Sequence, residues 1–445
     1  MTRLWHLLST VFTYWRTTQT KFTSRAHLEA YQAAKISQHL DFLSQETAYF
    51  WTYAGRPLAQ WPRMDKDVMM RHFDLMNTAG LRLDDVLTVA QRSEQDRNFA
   101  PLLNGHTVGL SSGTSAQRGV FVASGAERAA WAGIMLAKAL PRGLFAGERV
   151  ALFLRANSSL YTAVESRFLT FRFFDLFTKF ESHLAPLDAY APTILVAPAQ
   201  VLRQLALAKL EGRLSCAPVK VISAAEVLEP DDRALIMQAF GNVHELYQAT
   251  EGFLAATCEH GTLHLNEEFI HVEPEWLDAE KTRFVPIITD FTRTTQPIVR
   301  YRLNDVLVRR TSPEPCPCGR HTMALSAIEG RCDDMLELPG RNGLPVHAFA
   351  DVISRALAQA LPLTADYRLE QTDPETLVLR ADVDVGILHR VRDHLTEALL
   401  DLGVATDQLH WHLVSSTLDV TLTAKRRRIR RTFSSSRARK RSLSQ

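Results

Sequence analysis

Short aliphatic runs alternate with helical stretches in the middle of this 445-residue chain. The runs at 149–154, 193–197 and 219–223 have the composition of strands that are buried on both faces. Residues 198–212 and 230–240 instead carry apolar side chains at helical spacing. Strands that are separated by helices lie parallel, because each helix carries the chain back to the start of the next strand. The alternation predicts an α/β fold with a covered, mostly parallel sheet.

The rest of the chain divides into regions with other patterns. Residues 1–100 predict a mainly helical part of the large domain, because apolar residues recur at helical spacing from residue 24 onward. Residues 101–330 contain the core of this domain, and 257–330 predict a small β-rich subdomain of short strands. A compact α+β domain is expected over 331–430, followed by a basic tail at 431–445.

Composition limits the class of protein. With 46% hydrophobic and 22% charged residues, the chain is typical of a soluble globular protein. No apolar run approaches the roughly eighteen residues of a membrane span. The apolar N-terminus predicts an amphipathic helix packed on the body, or a loose membrane-surface contact through Trp5 and Trp15. Five cysteines, an odd number, argue against a disulfide framework and favour a reducing cytoplasm.

The net charge of +2 hides an uneven distribution. Residues 425–445 carry ten lysines and arginines and no acid, so the body before them is mildly acidic. Charge alone predicts a weak contact with nucleic acid or an anionic lipid surface. The alternative, which we favour beyond residue 432, is a solvated and disordered end. Phe433 is the only aromatic residue in the tail, so base stacking has little support.

Six polar or small-residue motifs occur along the chain, and several follow predicted strands. The first is a hydroxyl-rich loop whose glycine, hydroxyls and backbone N–H groups suit a phosphate group, Ser111-Ser112-Gly113-Thr114. The next two are Ser223-Ala224-Ala225-Glu226, where a flat ring could lie against the backbone, and Tyr247-Gln248-Ala249-Thr250-Glu251, which suits a base, a phosphate and Mg²⁺. Asp305 and Arg331 then suit a ribose, and the last motif contains Lys425. Each motif alone is more typical of an ordinary turn.

In this order and spacing, the motifs resemble those of the adenylate-forming enzyme superfamily. Within it they are most similar to the phenylacetate-CoA ligase branch and to the synthetases that adenylate a deazaflavin cofactor, over roughly residues 100–430. The resemblance implies a large adenylating domain, a small mobile C-terminal domain, and binding of ATP with Mg²⁺. The ATP-binding residues that it implies are Ser111, Ser112, Gly113, Thr114, Ala224, Ala225, Glu226, Tyr247, Asp305 and Arg331.

The same resemblance implies catalytic and hinge roles. Thr250 would contact a phosphate, Glu251 would bind Mg²⁺ and Lys425 would reach into the adenylation site. Asp333 and Asp334 would form the hinge before the small domain. Attack of a carboxylate on a phosphate needs alignment and charge neutralisation more than acid–base chemistry, which suits this set of residues.

The sequence departs from the superfamily pattern at two places. Ala116 stands where the phosphate loop usually has a second glycine, and Gln117-Arg118-Gly119 replaces its Pro-Lys ending. Arg118 keeps the positive charge but not the compact shape of a lysine. Ala424 replaces the glycine before the lysine, which leaves Arg426 as an alternative to Lys425. If these changes remove catalysis, the chain would be a nucleotide-binding or nucleic-acid-binding protein with the same fold.

Two Cys/His pairs predict a structural Zn²⁺ site in the β-rich subdomain. Cys316 and Cys318 are separated by one residue, and Cys258 with His260 form the second pair. Together they make a Cys₃His set of the kind that closes a tetrahedral zinc site. His264 competes with His260 as the fourth ligand, and free thiols are the alternative.

The function expected from the resemblance is the activation of a small carboxylic acid to an acyl adenylate, with release of pyrophosphate. Transfer to a thiol of CoA or of a carrier protein's phosphopantetheine arm would follow. Transfer of AMP to a hydroxyl is the rival outcome. An aromatic-rich segment suggests an aryl or fatty acid, although core packing is the more usual reason for such a segment: Phe171, Phe173, Phe174, Phe177 and Phe180. A homodimer is a further expectation.

Overall fold

The computed structural model describes residues 2–97, 101–111, 118–154, 165–312, 314–332, 335–418 and 426–433. Its N-terminal helices are α1 (Thr2–Gln19), α2 (Arg25–Glu46), α3 (Lys66–Met76) and α4 (Leu83–Gln95). The side chains of Ser24 and Asp65 cap α2 and α3 by accepting hydrogen bonds from backbone N–H groups three residues ahead. Short 3₁₀ turns at Trp51–Tyr53 and Leu58–Gln60 connect α2 to α3. Helices therefore account for most of residues 2–97.

The first helix packs on α5 (Gly125–Ala139). The Thr10 hydroxyl donates to the Ala129 carbonyl at 3.1 Å, and a Cβ on Gly133 would lie 2.5 Å from the Thr10 carbonyl oxygen. The glycine therefore permits the two helix backbones to approach closely. The opposite face of α1 exposes large apolar side chains, including Trp5 and Trp15. Among the described residues, no helix has both the length and the apolar character that a membrane crossing requires.

Most of the large domain is built on one twelve-stranded sheet. Its strands are β4 (Glu148–Leu154), β5 (Leu169–Asp175), β6 (Ile194–Ala197), β7 (Lys220–Ala224), β8 (His244–Ala249), β9 (Gly252–Thr257), β10 (Leu263–Leu265), β11 (Ile270–Trp276), β12 (Arg283–Asp290), β13 (Ile298–Arg302), β14 (Asp305–Arg309) and β15 (Ala324–Arg331). A separate three-stranded sheet contains β1 (Leu102–Leu103), β2 (His106–Leu110) and β3 (Val120–Ala123).

The strand order of the large sheet is β11-β12-β14-β15-β10-β9-β8-β7-β6-β4-β5, and β13 pairs with β12. Strands β5, β4, β6, β7 and β8 are parallel, and the pairs from β8/β9 onward are antiparallel. The crossover helices are α6 (Leu184–Tyr190), α7 (Ala199–Leu210) and α8 (Pro230–Phe240), with a 3₁₀ turn at Phe180–His183 before α6. This arrangement confirms the α/β class. The expected β subdomain is continuous with the parallel strands, because the β8/β9 hairpin joins the two parts edge to edge.

The C-terminal domain is a compact α+β unit, as the sequence predicts. It contains β16 (Leu336–Pro339), β17 (Pro345–Ala348), α9 (Ala350–Ala360), β18 (Tyr367–Gln371), β19 (Thr376–Ala381), α10 (Val385–Asp401), a 3₁₀ turn at Thr406–Gln408, β20 (His410–Ser415) and β21 (Ile429–Arg431). Its four-stranded sheet has the order β20-β19-β18-β21. Leu369, Leu377 and Leu379 from this sheet pack against Val391 and Leu395 of α10, and all five are buried. The domain therefore has its own core.

Candidate functional site

The parallel strands β7 and β8 end at the same edge of the sheet. Ala224, the last residue of β7, is aligned with Leu246 on β8. Ala225 follows with a φ of 67°. A left-handed backbone is uncommon for alanine, costs on the order of 1–3 kcal/mol, and is found most often at functional sites. This edge brings the predicted adenine-side residues, Ala224 to Glu226, next to the strand that carries Tyr247.

Tyr247 and Asp305 meet although 58 residues separate them in the chain. The Tyr247 hydroxyl donates a hydrogen bond to Asp305 Oδ2 at 2.5 Å. Burial, followed by the negative charge of Asp305, raises the pKa of Tyr247 well above its ordinary value. Asp305 begins β14 and is aligned with Arg331 on β15. Three of the residues predicted to contact adenine and ribose, Tyr247, Asp305 and Arg331, thus lie close together.

The hairpin turn between β8 and β9 consists of Thr250 and Glu251. Ala249 pairs with Gly252 across this turn. Burial is the main cause that raises the pKa of Glu251, and the nearby charge of Asp305 raises it further. A hydrogen bond from the Tyr301 hydroxyl acts in the opposite direction. The Glu251 carboxylate, with Asp305 near it, offers oxygen ligands of the kind that Mg²⁺ takes, so this turn suits a Mg²⁺ ion.

Three residues that support this turn were not identified from the sequence. Arg293 Nη1 donates to the carbonyl oxygen of Thr250 at 2.6 Å. Tyr301 bonds to Glu251, and the Glu127 carboxylate accepts from the backbone N–H of Thr295 at 2.8 Å in the same loop as Arg293. The available signal in the sequence was the polar segment that contains Arg293 and Thr295, because it separates the apolar strands β12 and β13.

The phosphate loop is described only at its two ends. Ser112, Gly113 and Thr114, together with Ala116 and Gln117, lie outside the described residues. At the ends, Ser111 N donates to the Gly119 carbonyl at 2.7 Å, and Gly119 N donates to the Ser111 hydroxyl at 2.9 Å. These bonds hold Ser111 and Gly119 next to each other.

Arg118 is engaged by the protein itself. Its two terminal nitrogens each donate to the Glu94 carboxylate at 2.6 Å, and its Nε donates to the Ser111 carbonyl. The paired guanidinium therefore differs from the lysine that it replaces in the superfamily pattern. Lys66, at the start of α3, has its aliphatic stem 3.6 Å from the place that a Cβ on Gly119 would occupy. A second cation, unrecognised in the sequence, thus flanks the loop.

The C-terminal segment touches the adenine-side segment through Glu226. The Glu226 carboxylate accepts from Gln200 Nε2 at 3.0 Å and from the backbone N–H of Arg426 at 3.4 Å. Lys425 lies outside the described residues, as do Asp333 and Asp334. The chain nevertheless places the residue directly after Lys425 beside the predicted nucleotide site.

A balanced cluster of six charged side chains joins the two domains. Arg203 and Arg428 both donate to Asp232 Oδ1, at 3.0 and 3.1 Å, and all three side chains are buried. Arg428 also donates to Asp231 at 2.7 Å and to Asp366 at 2.9 Å. The remaining member is Arg426, which pairs with Asp232 and Asp366. Three arginines from the two domains thus face three aspartates. We refer to these six residues as the interdomain charge cluster.

The basic run that was predicted to bind nucleic acid or lipid begins with residues of this cluster. Arg430 donates to Glu370 at 2.6 Å, and Arg431 donates to Glu337 at 2.8 Å. With Arg426 and Arg428 in the cluster, each of these four arginines has an acidic partner in this chain. Their charges hold the C-terminal domain together and join it to the large domain, so the description of residues 426–431 as an anion-binding tail is not supported. Residues 434–445 lie outside the described part.

The predicted metal ligands converge, with one change of residue. Cys258, His264, Cys316 and Cys318 place their ligand atoms within 4.8 Å of one another. His260 is exposed on the β9/β10 turn and is not a member of this group. The structure therefore brings the competing histidine, His264, to the cysteines.

The phenylalanines that were considered for the acid pocket include at least one that packs in the core. Phe174 is buried and stacks on Phe153 with ring centroids 4.6 Å apart. Phe177 is instead exposed, and the Arg97 guanidinium lies 5.0 Å from its ring centroid. The segment therefore gives no specific support to an aromatic substrate.

Comparison with known proteins identifies the fold. No protein-family model matches the chain, and no curated protein matches it. A solved structure of 2-hydroxyisobutyryl-CoA ligase in its postadenylation state, in complex with R3-HIB-AMP, is similar over 93% of this chain and 91% of that chain, with 18% identity and a TM-score of 0.65. The chain has the adenylate-forming ligase fold.

Two further structures share this fold. An open conformation of the same ligase, in complex with 2-HIB-AMP and CoA, gives a TM-score of 0.58 at 18% identity over 92% of each chain. An amide bond synthetase from Marinactinospora thermotolerans gives 0.52 at 14% identity, over 77% of this chain and 70% of that chain. At such identities the adenylate-forming ligase fold is established, and the roles of individual residues depend on the geometry of the site.

Proposed function

We propose that this protein is an ATP- and Mg²⁺-dependent ligase that activates a carboxylic acid. The acid's carboxylate oxygen would attack the α-phosphate of ATP, forming the acyl–phosphate bond as pyrophosphate leaves. An acceptor thiol, on CoA or a phosphopantetheine arm, would then attack the acyl carbon and release AMP. The proposal accounts for the fold and for the residues that meet at the ends of β7 and β8.

The observation that carries the proposal is the contact between Tyr247 and Asp305. The two residues belong to motifs that are far apart in the chain, yet they share a hydrogen bond of 2.5 Å beside the Thr250-Glu251 turn. An ordinary strand-to-loop transition would not require an aromatic ring and two carboxylates at one place. In our proposal, Asp305 accepts from the ribose hydroxyls with its second oxygen, and the tyrosine ring lies against the adenine.

The chain's own residues would align the reacting groups. Glu251 would hold Mg²⁺, which neutralises phosphate charge when it is bound. Arg293 positions the turn through the Thr250 carbonyl. We place Ser111 to Thr114 around the phosphates, and the Lys66 side chain lies at the flank of that loop.

Lys425 is proposed as the catalytic lysine because of its neighbour. The bond from Arg426 N to Glu226 anchors the segment at the adenine side. Arg426 itself pairs with Asp232 and Asp366, so its guanidinium is committed to the interdomain charge cluster. This arrangement favours Lys425 over Arg426 as the group that stabilises the developing charge at the α-phosphate.

ATP–pyrophosphate exchange over a panel of aryl, fatty and short hydroxy acids tests the proposal. We expect exchange that requires one class of acid and falls about 10²–10³-fold in Lys425→Ala, the usual cost of losing a preorganised electrostatic contact. Lys21→Ala, at an exposed lysine between α1 and α2, is the matched control and should exchange normally. Absence of exchange with every acid would contradict the proposal, and full exchange in Lys425→Ala would show that another cation has this role.

The acceptor is tested separately, because acid activation does not depend on it. Incubation with the activated acid and CoA should yield acyl-CoA and free AMP. A stable AMP adduct on a hydroxyl compound, formed without any thiol, would instead support nucleotidyl transfer. Binding of RNA that disappears when residues 434–445 are removed, combined with no exchange, would favour the nucleotide-binding alternative.

A further inference from the structure

Two loops of the β-rich part present four metal-ligating side chains to one point. Cys258 follows β9 directly, and its backbone N–H donates to the Thr262 carbonyl at 2.8 Å to form the β9/β10 hairpin. His264 lies on β10. Cys316 and Cys318 lie in the connection between β14 and β15, where Gly319 N donates to the Cys316 carbonyl at 3.0 Å. The turns of both loops are thus formed by backbone hydrogen bonds.

The spacing of the ligand atoms matches one tetrahedral ion. With Zn–S bonds of about 2.3 Å and Zn–N bonds of about 2.05 Å, tetrahedral angles place two sulfurs about 3.8 Å apart and a sulfur about 3.6 Å from a nitrogen. Cys258 Sγ lies 3.7 Å from Cys316 Sγ, and Cys318 Sγ lies 3.4 Å from His264 Nε2. A disulfide would need its sulfurs about 2.05 Å apart. The observed distances fit a shared metal better than a bond between the cysteines.

The hydrogen bond at Nδ1, the ring nitrogen that is not directed at Cys318, orients the His264 imidazole for metal binding. Its Nδ1 lies 3.3 Å from the carbonyl oxygen of Thr322, which can only accept a hydrogen bond, and 3.3 Å from the Thr322 hydroxyl, which can also accept one. The proton therefore belongs on Nδ1, and Nε2 directs its lone pair toward Cys318. Zinc-binding histidines usually donate their other ring N–H to a carbonyl or carboxylate in this way. The hydrogen bond thus supports His264 as the ligand, whereas His260 is exposed.

We propose that Cys258, His264, Cys316 and Cys318 bind one Zn²⁺ ion, which joins the β9/β10 hairpin to the β14–β15 connection. Three thiolates and one neutral imidazole complete a four-coordinate shell, so the ion has a structural role and no open position for chemistry. The connection runs from Arg310 to Met323, long for a loop between paired strands. Zinc restrains this connection, because it links Cys316 and Cys318 to the ligands beside strand β9 and on strand β10.

The ion lies far from the proposed nucleotide site. Asp305 begins β14 and Arg331 ends β15, whereas the zinc-bound connection joins the other ends of these strands. The four steps of β14 from Asp305 to Arg309 span about 14 Å, at about 3.4 Å per residue, and the zinc-bound connection begins beyond them. The metal should therefore govern the stability of the β-rich part without being required for nucleotide binding.

Zinc content of the purified protein tests this proposal without any ligase substrate. Inductively coupled plasma mass spectrometry should find about one zinc per chain after growth with added zinc, and a mercurial thiol reagent should release it stoichiometrically. His264→Gln should lower zinc affinity by at least about 10-fold. His260→Gln and Cys216→Ser, which change a histidine and a buried cysteine outside the group, should retain the full content.

Cobalt substitution gives a readout that does not depend on whether the variants fold. Co²⁺ bound to the wild-type protein should show thiolate charge-transfer and tetrahedral d–d absorption. A wild-type zinc content below about 0.1 per chain with no such absorption would overturn the proposal. So would a Cys258–Cys316 disulfide in freshly purified protein, or loss of zinc in His260→Gln while His264→Gln retains it.

Discussion

The most specific structural prediction concerns Arg428, the most extensively paired member of the interdomain charge cluster. It donates to Asp231, Asp232 and Asp366, and its guanidinium lies 4.6 Å from the Tyr367 ring centroid. Arg428→Met keeps much of the volume and removes the charge. The substitution leaves three aspartates, two of them buried, facing two arginines. Asp231 loses its close partner, because Arg203 lies 4.0 Å away.

The expected cost follows from burial. Removing one partner of a buried ion pair costs about 3–5 kcal/mol, because the other charge stays desolvated. Arg430→Met is the matched control, since it lies two residues away and the Arg430 side chain is 42% exposed. Loss of a pair as exposed as Arg430–Glu370 costs about 0–1 kcal/mol. At about 4 °C per kcal/mol for a unit of this size, Arg428→Met should lower the melting transition of the C-terminal domain by about 10–20 °C.

Differential scanning calorimetry and limited proteolysis measure this difference. The transition of Arg428→Met should move well below that of Arg430→Met, and trypsin should cut between the domains sooner. A double-mutant cycle with Asp231→Asn should show a coupling of about 1–3 kcal/mol between residues 231 and 428. Equal melting temperatures for the two arginine variants, or additive effects in the cycle, would refute the claim that buried charge pairing joins the domains.

Two further predictions concern titration and the nucleotide site. Burial raises the pKa of Glu229 to about 7 from an ordinary 4.5, so between these pH values the folded protein binds more protons than the unfolded chain. The free energy of unfolding should therefore fall as pH rises from 4.5 to 7. In urea titrations, Glu229→Gln should reduce this dependence on pH. An unchanged dependence would exclude Glu229 as its source. Tyr247→Phe removes the donor to Asp305 and should cost about 1–3 kcal/mol in the same titrations while raising the KM for ATP. An unaltered KM would place Tyr247 outside the nucleotide site. The control is Tyr53→Phe, because the Tyr53 ring packs at the edge of the core.

The regular elements of the fold could be predicted from sequence because local patterns determine them. The strands near 150, 194 and 220 and the helices at 199–210 and 230–240 occur where aliphatic runs and helical spacing predict them. The continuity of the sheet could not be predicted in this way. It depends on the β8/β9 hairpin, whose turn is the same Thr250-Glu251 pair that was identified for its chemistry.

The remaining differences come from contacts between distant parts of the chain. Arg428 belongs to a run that looks like a basic tail. Its pairing is not visible in the local sequence, because its partner Asp231 lies 197 residues earlier. The histidine ligand could not be chosen from spacing, since His260 and His264 are both close to Cys258. Strand pairing decides between them: His264 is aligned with Ala324 on β15, next to the cysteine-bearing connection.

The oxygen of the activated acid provides the most direct test of the proposed reaction. The acid substrate, labelled with ¹⁸O in both carboxylate positions, would be incubated with ATP, Mg²⁺ and the acceptor thiol, and the released AMP would be analysed by mass spectrometry. Attack of the carboxylate on the α-phosphate transfers one labelled oxygen to the phosphorus, and it stays there when the thiol takes the acyl group. We predict AMP that carries one ¹⁸O atom per turnover. Unlabelled AMP, or formation of ADP instead of AMP, would contradict the account.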